Sequence, residues 1–138
     1  MRLPVLARLA ILMALLLPAP ALAAHPLVGQ CLVVGDNRPF VTALITLEPD
    51  GLAHWRRMRK KVDMPIRDLV NDEELRSALQ RAVDEANRLV SRAESIREFT
   101  VLPGEFTEAS GHLTPSLKVK RDAIIRDFDA EIEDLYRR

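Results

Sequence analysis

Apolar positions change their spacing along the chain, and each change marks an element. Cys31 to Val34 is a short apolar run, and Phe40 to Leu47 is a longer one rich in β-branched residues. Between them, Gly35-Asp36-Asn37-Arg38-Pro39 supplies turn chemistry. Gly allows a positive φ, Asp and Asn bond their own backbone, and Pro offers no N–H to a ladder. The pattern predicts a β-hairpin of two largely buried strands, closed by Glu48-Pro49-Asp50-Gly51. Leu52, Trp55, Met58 and Val62 then recur at roughly helical spacing, predicting a short helix over 50–61 that Pro65 stops.

The strongest period follows. Leu75, Ala78, Leu79, Ala82, Ala86, Leu89 and Val90 fall on one stripe of a helix. Asn71 is its expected N-cap, and Glu74 is the expected partner in a capping box. Arg81–Glu85 and Asp84–Arg88 are expected as i,i+4 pairs on the wet side. Ile96 to Leu102 reads as a third strand ended by Pro103-Gly104, and Glu105 to His112 reads as a loop. A last helix is predicted from Arg121 to Tyr136, with Ile124, Ile125, Phe128, Ile132, Leu135 and Tyr136 inward. The order β-β-α-α-β-loop-α describes a small α+β domain: a β-hairpin, a third strand and packed helices.

The N-terminal segment differs from this body. Arg2 and Arg8 begin it, Leu9 to Leu17 is apolar and uncharged, and Pro18 and Pro20 break the run. Ala21-Leu22-Ala23 has small residues at the two positions a signal peptidase reads. Residues 1–23 are therefore expected to be a secretory-signal-like leader, and 24–138 the domain. The uncharged run is shorter than the roughly 20 residues of a membrane-spanning helix.

Composition narrows the functional classes. Of 138 residues, 48% are apolar and 29% charged, which suits a packed domain with a modest core rather than a disordered chain. Lys plus Arg equals Asp plus Glu at 20 each, so net charge gives no pull toward nucleic acid, and membrane contact is expected to be peripheral at most. The single Cys31 excludes an intrachain disulfide framework and is expected to be a small buried hydrophobe. His25, His54 and His112 lack ligand spacing, so no metal site is expected. There is no glycine-rich phosphate loop and no nucleophile-elbow serine. Arg56, Arg57, Arg59, Lys60 and Lys61 form a basic face on the short helix. That face suits phosphate or a lipid surface, or is simply a solvated face near a helix C-terminus.

One segment carries candidate chemistry: Thr114-Pro115-Ser116-Leu117-Lys118-Val119-Lys120-Arg121. If 117–120 is extended, Leu117 and Val119 face the core while Lys118 and Lys120 face away. Gly104 and Gly111 precede it, so the segment is expected to be mobile. An outward ammonium on such a loop suits a reaction that gathers negative charge, as when a carboxylate attacks a phosphate. The same residues also read as a plain basic turn leading into a helix.

Three stretches resemble the C-terminal domain of bacterial long-chain acyl-CoA synthetases, members of the AMP-forming adenylating superfamily. They are Ala24 to Val28 running on through Cys31 to Phe40, Ala43 to Leu47, and Leu113 to Arg121 followed by the acidic helix that ends Asp134-Leu135-Tyr136. The resemblance covers about Ala24 to Arg138. It implies an α+β lid domain that turns between two poses, one for adenylation of a fatty acid by ATP and one for attack by CoA. By its place in the motif, Lys118 resembles the lysine of the adenylation step, and Thr114, Pro115 and Ser116 resemble the loop that contacts the nucleotide. Many relatives outside the long-chain group carry Gly where this chain has Leu117.

Family members hold ATP, Mg²⁺ and the acyl chain in a large N-terminal domain whose motifs are not in this sequence. The resemblance therefore implies a truncated form, inactive alone and binding none of these by itself, with the large domain as its partner. Two other readings stay open: one subunit of a split ligase, and an exported non-catalytic binding or structural domain that reuses the fold. ATP and CoA imply a cytoplasmic setting, against the secretory look of the N-terminus.

Overall fold

The computed structural model describes residues 18–138. Three strands form one sheet: β1 (Val28–Val34), β2 (Val41–Leu47) and β3 (Ile96–Leu102), in the order β1-β2-β3. The hairpin is present as expected, antiparallel from Val28 opposite Leu47 to Val34 opposite Thr42. Its first strand begins at Val28, upstream of the Cys31 start read from the pattern. A bulge falls between Val28 and Cys31, where the Thr46 hydroxyl accepts from the Gln30 N–H at 2.9 Å. The third strand matches its predicted limits and pairs parallel to β2, with Val41 opposite Ile96 and Thr46 opposite Leu102.

Both faces of the sheet are covered, which is why β2 is buried along its whole length and reads as an unbroken apolar run. One face carries α1 (Pro18–Ala23) and α4 (Glu73–Asn87). There Leu22, Leu75, Leu79 and Val83 pack with Val33, Ala43, Ile45 and Phe99. The other face carries α5 (Arg121–Asp127) and α6 (Asp129–Tyr136), with Leu32, Leu44, Leu102, Phe106, Leu113, Ile124 and Ile132 as its core. The connection from β2 to β3 runs through α2 (Pro49–Met58), α3 (Ile66–Leu69) and α4.

Residues 1–17 of the expected leader lie outside the described residues. Its last six form α1, and Leu22 is completely buried against β1 and α4. The packed body thus reaches upstream of Ala24.

Several local expectations need correction. The N-cap of α4 is Asp72, whose carboxylate accepts from the Leu75 N–H at 3.1 Å, and not Asn71. A carboxylate suits the positive end of a helix better than an amide does. No capping box forms, because with Asp72 as N-cap the residue three positions on is Leu75; Glu74 instead pairs with Lys61 at 3.3 Å. The stripe includes Val83, while Leu89 is 70% exposed and Val90 half-buried, because the helix ends at Asn87. There the Asn87 side chain takes both backbone groups of Ile96 at 2.9 Å, tying the helix end to the start of β3. The expected i,i+4 pairs are replaced: Asp84 accepts from Gln80 at 2.9 Å, and Arg88 pairs with Glu85 at 3.2 Å.

Helix α2 is shorter than 50–61, and Met58 and Val62 are exposed rather than inward. Glu48 caps its start, accepting from the Gly51 N–H at 2.6 Å. A Cβ on Gly51 would lie 1.9 Å from the Pro26 carbonyl oxygen, so this position admits only glycine. Its end is set by Arg56, whose guanidinium donates to the carbonyls of Lys61, Val62 and Met64. Lys61 pairs with Asp72 at 2.7 Å, and Arg59 lies 3.9 Å from Glu74. Much of the basic face is therefore engaged in holding the α2–α4 connection.

The predicted last helix is two helices, broken at Phe128. Ile124, Ile132 and Leu135 are buried as expected, while Ile125, Phe128 and Tyr136 are half-buried. The Tyr136 hydroxyl reaches the Phe40 carbonyl at 2.8 Å and accepts from Thr42 Oγ1 at 3.2 Å. Arg38 stacks on the Tyr136 ring and pairs with Glu133, so α6 holds the turn of the β-hairpin.

Candidate functional site: the Lys118 hairpin

Leu113 and Val119 form an antiparallel bridge, and the residues between them close a tight hairpin. The Leu117 N–H donates to the Thr114 carbonyl at 2.8 Å, and the Thr114 N–H donates to the Lys118 carbonyl at 2.8 Å. These two bonds enclose Pro115, Ser116 and Leu117, the three-residue loop in which a turn is followed by a left-handed residue. Pro115 sets φ at the first loop position, and Leu117 takes the left-handed conformation at φ +63°. The Thr114 hydroxyl oxygen accepts from the Lys118 N–H at 3.0 Å and bonds the Ser116 hydroxyl at 3.0 Å.

This geometry corrects the alternation expected from the sequence. Leu117 and Val119 do not face the core: Leu117 is 70% exposed and Val119 37%. The left-handed residue turns the chain, so the period of 2 is broken at the position that mattered. Lys118 is outward as expected. Among the described residues its ammonium has no carboxylate or hydrogen-bond partner. Lys61, by contrast, is neutralised by two carboxylates.

The base of the hairpin rests on groups that sequence reasoning passed over. His112 is 7% exposed, between the rings of Phe106 and Phe128 at centroid distances of 5.6 and 5.4 Å. Its Nε2 lies 2.8 Å from Asp127 Oδ2 and its Nδ1 lies 2.9 Å from Ser110 Oγ. The hydrogen bond with His112 holds the Asp127 carboxyl below the usual carboxylate range. The His112 carbonyl accepts from the Lys120 N–H at 2.8 Å, and the Arg121 guanidinium donates to the Val33 carbonyl at 2.6 Å. Both arms of the hairpin are thereby fixed to the sheet and α5. Nothing local in the sequence pairs residues 112 and 127; only the packing of the loop on α5 brings them together.

Ser110, His112 and Asp127 lie in the order of a hydrolytic triad, but they lack its chemistry. The Ser110 hydroxyl is engaged with Thr107, and the N–H groups of Ser110, Gly111 and His112 are all bonded within the loop. No free pair of N–H donors remains there for an oxyanion. The loop that precedes the lysine-bearing segment is cross-linked to itself by these bonds.

The other histidines do not join this site. His25 Nδ1 accepts from the Leu27 N–H at 3.2 Å, and His54 is exposed on α2. Burial and then the nearby Arg81 hold His25 below its ordinary value. Among the described residues no three His, Cys, Asp or Glu side chains come together as a metal site would require.

A small α+β domain built on a three-stranded sheet covered on both faces by helices matches the C-terminal domain of adenylate-forming enzymes. The chain belongs to the AMP-binding enzyme C-terminal domain family, whose model matches residues 17–138. It is 46% identical to the long-chain-fatty-acid–CoA ligase FadD15 of Mycobacterium tuberculosis, over 83% of this chain and 19% of the ligase. It is 27% identical to the long-chain-fatty-acid–CoA ligase ACSBG2 of Gallus gallus, over 82% of this chain and 17% of that enzyme. Among solved structures it matches the A-PCP didomain of carboxylic acid reductase from Segniliparus rugosus in complex with AMP, with a TM-score of 0.68 and 25% identity. That match covers 89% of this chain and 16% of the other. The chain thus spans about a fifth of the length of the curated relatives it matches.

Proposed function

We propose that this chain acts as the lid in the long-chain fatty acid–CoA ligase reaction, with Lys118 as the lysine of the adenylation step. In that step a fatty-acid carboxylate oxygen bonds to the α-phosphorus of ATP, and the bond to pyrophosphate breaks. The thiol of CoA then attacks the acyl carbon, and AMP leaves. Lys118 brings its ammonium to the carboxylate and α-phosphate and offsets the charge that gathers between them. Thr114, Pro115 and Ser116 border the nucleotide as the lid closes. Magnesium, when bound, screens the phosphates; it and the acyl chain belong to the large domain, which on this reading is the partner. ATP and CoA place the reaction in the cytoplasm.

The observation that carries this reading is the unneutralised, exposed Lys118 held on a pinned hairpin in a chain 46% identical to a long-chain ligase. On this reading the isolated chain makes no acyl-CoA from ATP, CoA and palmitate. The test is a chimera in which residues 17–138 replace the matching part of FadD15. It is expected to form palmitoyl-CoA. Lys118→Ala is expected to lower palmitate-dependent pyrophosphate release about a hundredfold or more. It should leave the reaction of preformed palmitoyl-adenylate with CoA nearly unchanged. An inactive parent chimera, or a Lys118→Ala chimera as active as its parent, would overturn the proposal.

A further inference from the structure

Three non-glycine residues among those described have a positive φ: Asn37, Lys60 and Leu117. Asn37 lies in the β-hairpin turn, and asparagine tolerates this conformation. Lys60 follows the end of α2, where a left-handed residue commonly closes a helix. Leu117 has neither reason. It occupies the loop position that glycine fills without cost, at φ +63°. Its side chain is 70% exposed, so its burial returns nothing to offset the backbone cost. Strain held by a residue that gains nothing inside its own domain points to a use outside it.

That use is set by what stands next to it. Leu117 directly precedes Lys118 on a loop whose two ends are fixed by the Thr114–Lys118 and His112–Lys120 backbone bonds. Whatever surface receives the Lys118 ammonium therefore meets the Leu117 side chain in the same approach. We propose that Leu117 is a positioning residue. It seats its isobutyl group against an apolar wall of the large adenylating domain, and so fixes the depth and angle at which Lys118 enters. This inference rests on the reading of Lys118 above. The partner surface is the remaining four-fifths of the ligase, of which the chain matches only 19% in its mycobacterial relative.

The test separates this role from a structural one. In the isolated 138-residue chain, Leu117→Gly is expected to unfold at the same urea concentration as the parent or a higher one, because the backbone strain is released. In the chimera with FadD15, the same change is expected to lower kcat for adenylation about ten- to a hundredfold, as misplacement of a reacting group does, with KM for ATP little changed. Leu117→Met, of similar volume and apolar, is expected to restore most of kcat. A Leu117→Gly chimera with full kcat, beside an inactive Lys118→Ala chimera, would overturn the role of Leu117 and leave that of Lys118 standing. A lowered urea midpoint for Leu117→Gly would also overturn it, by making the residue structural. Full activity of Lys118→Ala would overturn both.

Discussion

The Lys118 N–H donates to the Thr114 hydroxyl oxygen at 3.0 Å, and the Thr114 N–H donates to the Lys118 carbonyl at 2.8 Å. Two residues four apart thus bond each other twice, and the lysine rides on a closed ring rather than a free loop. Thr114→Val keeps the shape of the side chain and removes the acceptor. It is expected to cost about 0.5–1.5 kcal/mol of local stability. Amide hydrogen exchange should speed up at Lys118 and remain slow at Lys120, whose N–H goes to the His112 carbonyl. Equal exchange in parent and variant would show that the hydroxyl does not hold the turn.

Asp72 both caps α4 and pairs with Lys61. The hydrogen bond from Lys61, and then the Leu75 N–H, hold its carboxyl below the usual carboxylate range against the opposing effect of burial. Because the folded value lies below the unfolded one, the stability it contributes is complete above the ordinary carboxylate range. That contribution is lost as pH falls through the folded value. Asp72→Asn keeps a capping oxygen and removes the charge, so the gap between parent and variant in urea midpoint should narrow on acidification. Asp72→Ala should cost about 0.5–2 kcal/mol at neutral pH through loss of the cap. A gap that widened in acid would contradict this assignment.

Leu22 is completely buried between β1 and α4, although it sits in a segment that reads as the end of a leader. Leu22→Ala is expected to destabilise the chain by about 2–5 kcal/mol in urea unfolding. A chain started at Ala24 should be weakened at least as much, since it loses the whole of α1. Unchanged stability in either would mean that α1 does not belong to the cooperative unit.

Cys31 lies half-buried in β1, and burial pushes its thiol up to about 11. At pH 8 its thiolate fraction is then about a hundredfold below that of an ordinary cysteine. Iodoacetamide should label the native chain slowly and the urea-unfolded chain fast, a contrast readable by mass spectrometry. Equal labelling rates would place the thiol in water.

The sequence carried much of the fold because local pattern and burial coincide in its central elements. β2 is covered on both faces and therefore shows as a solid apolar run, and β3 ends at Pro103-Gly104 as turn chemistry demands. Lys118 was legible as an outward lysine. Its surroundings were not, because the partners that shape them are remote or depend on one dihedral angle. Leu117 appears in the sequence as one more apolar residue of an alternating strand, and only its left-handed backbone places it on the surface.

What the sequence by itself determined was the order of the three strands and of the longer helices between and after them, the small α+β class and the lysine-bearing motif, all written in spacings of a few residues. The tertiary structure alone decided that β3 lies parallel beside β2, that Lys61 pairs with Asp72 at the start of α4, and that His112 meets Asp127 under the hairpin. The reason is distance along the chain. Periodicity and turn chemistry act over a few neighbours, whereas these pairings join groups 11 to 15 residues apart, or whole strands, and exist only once the two faces of the sheet are packed.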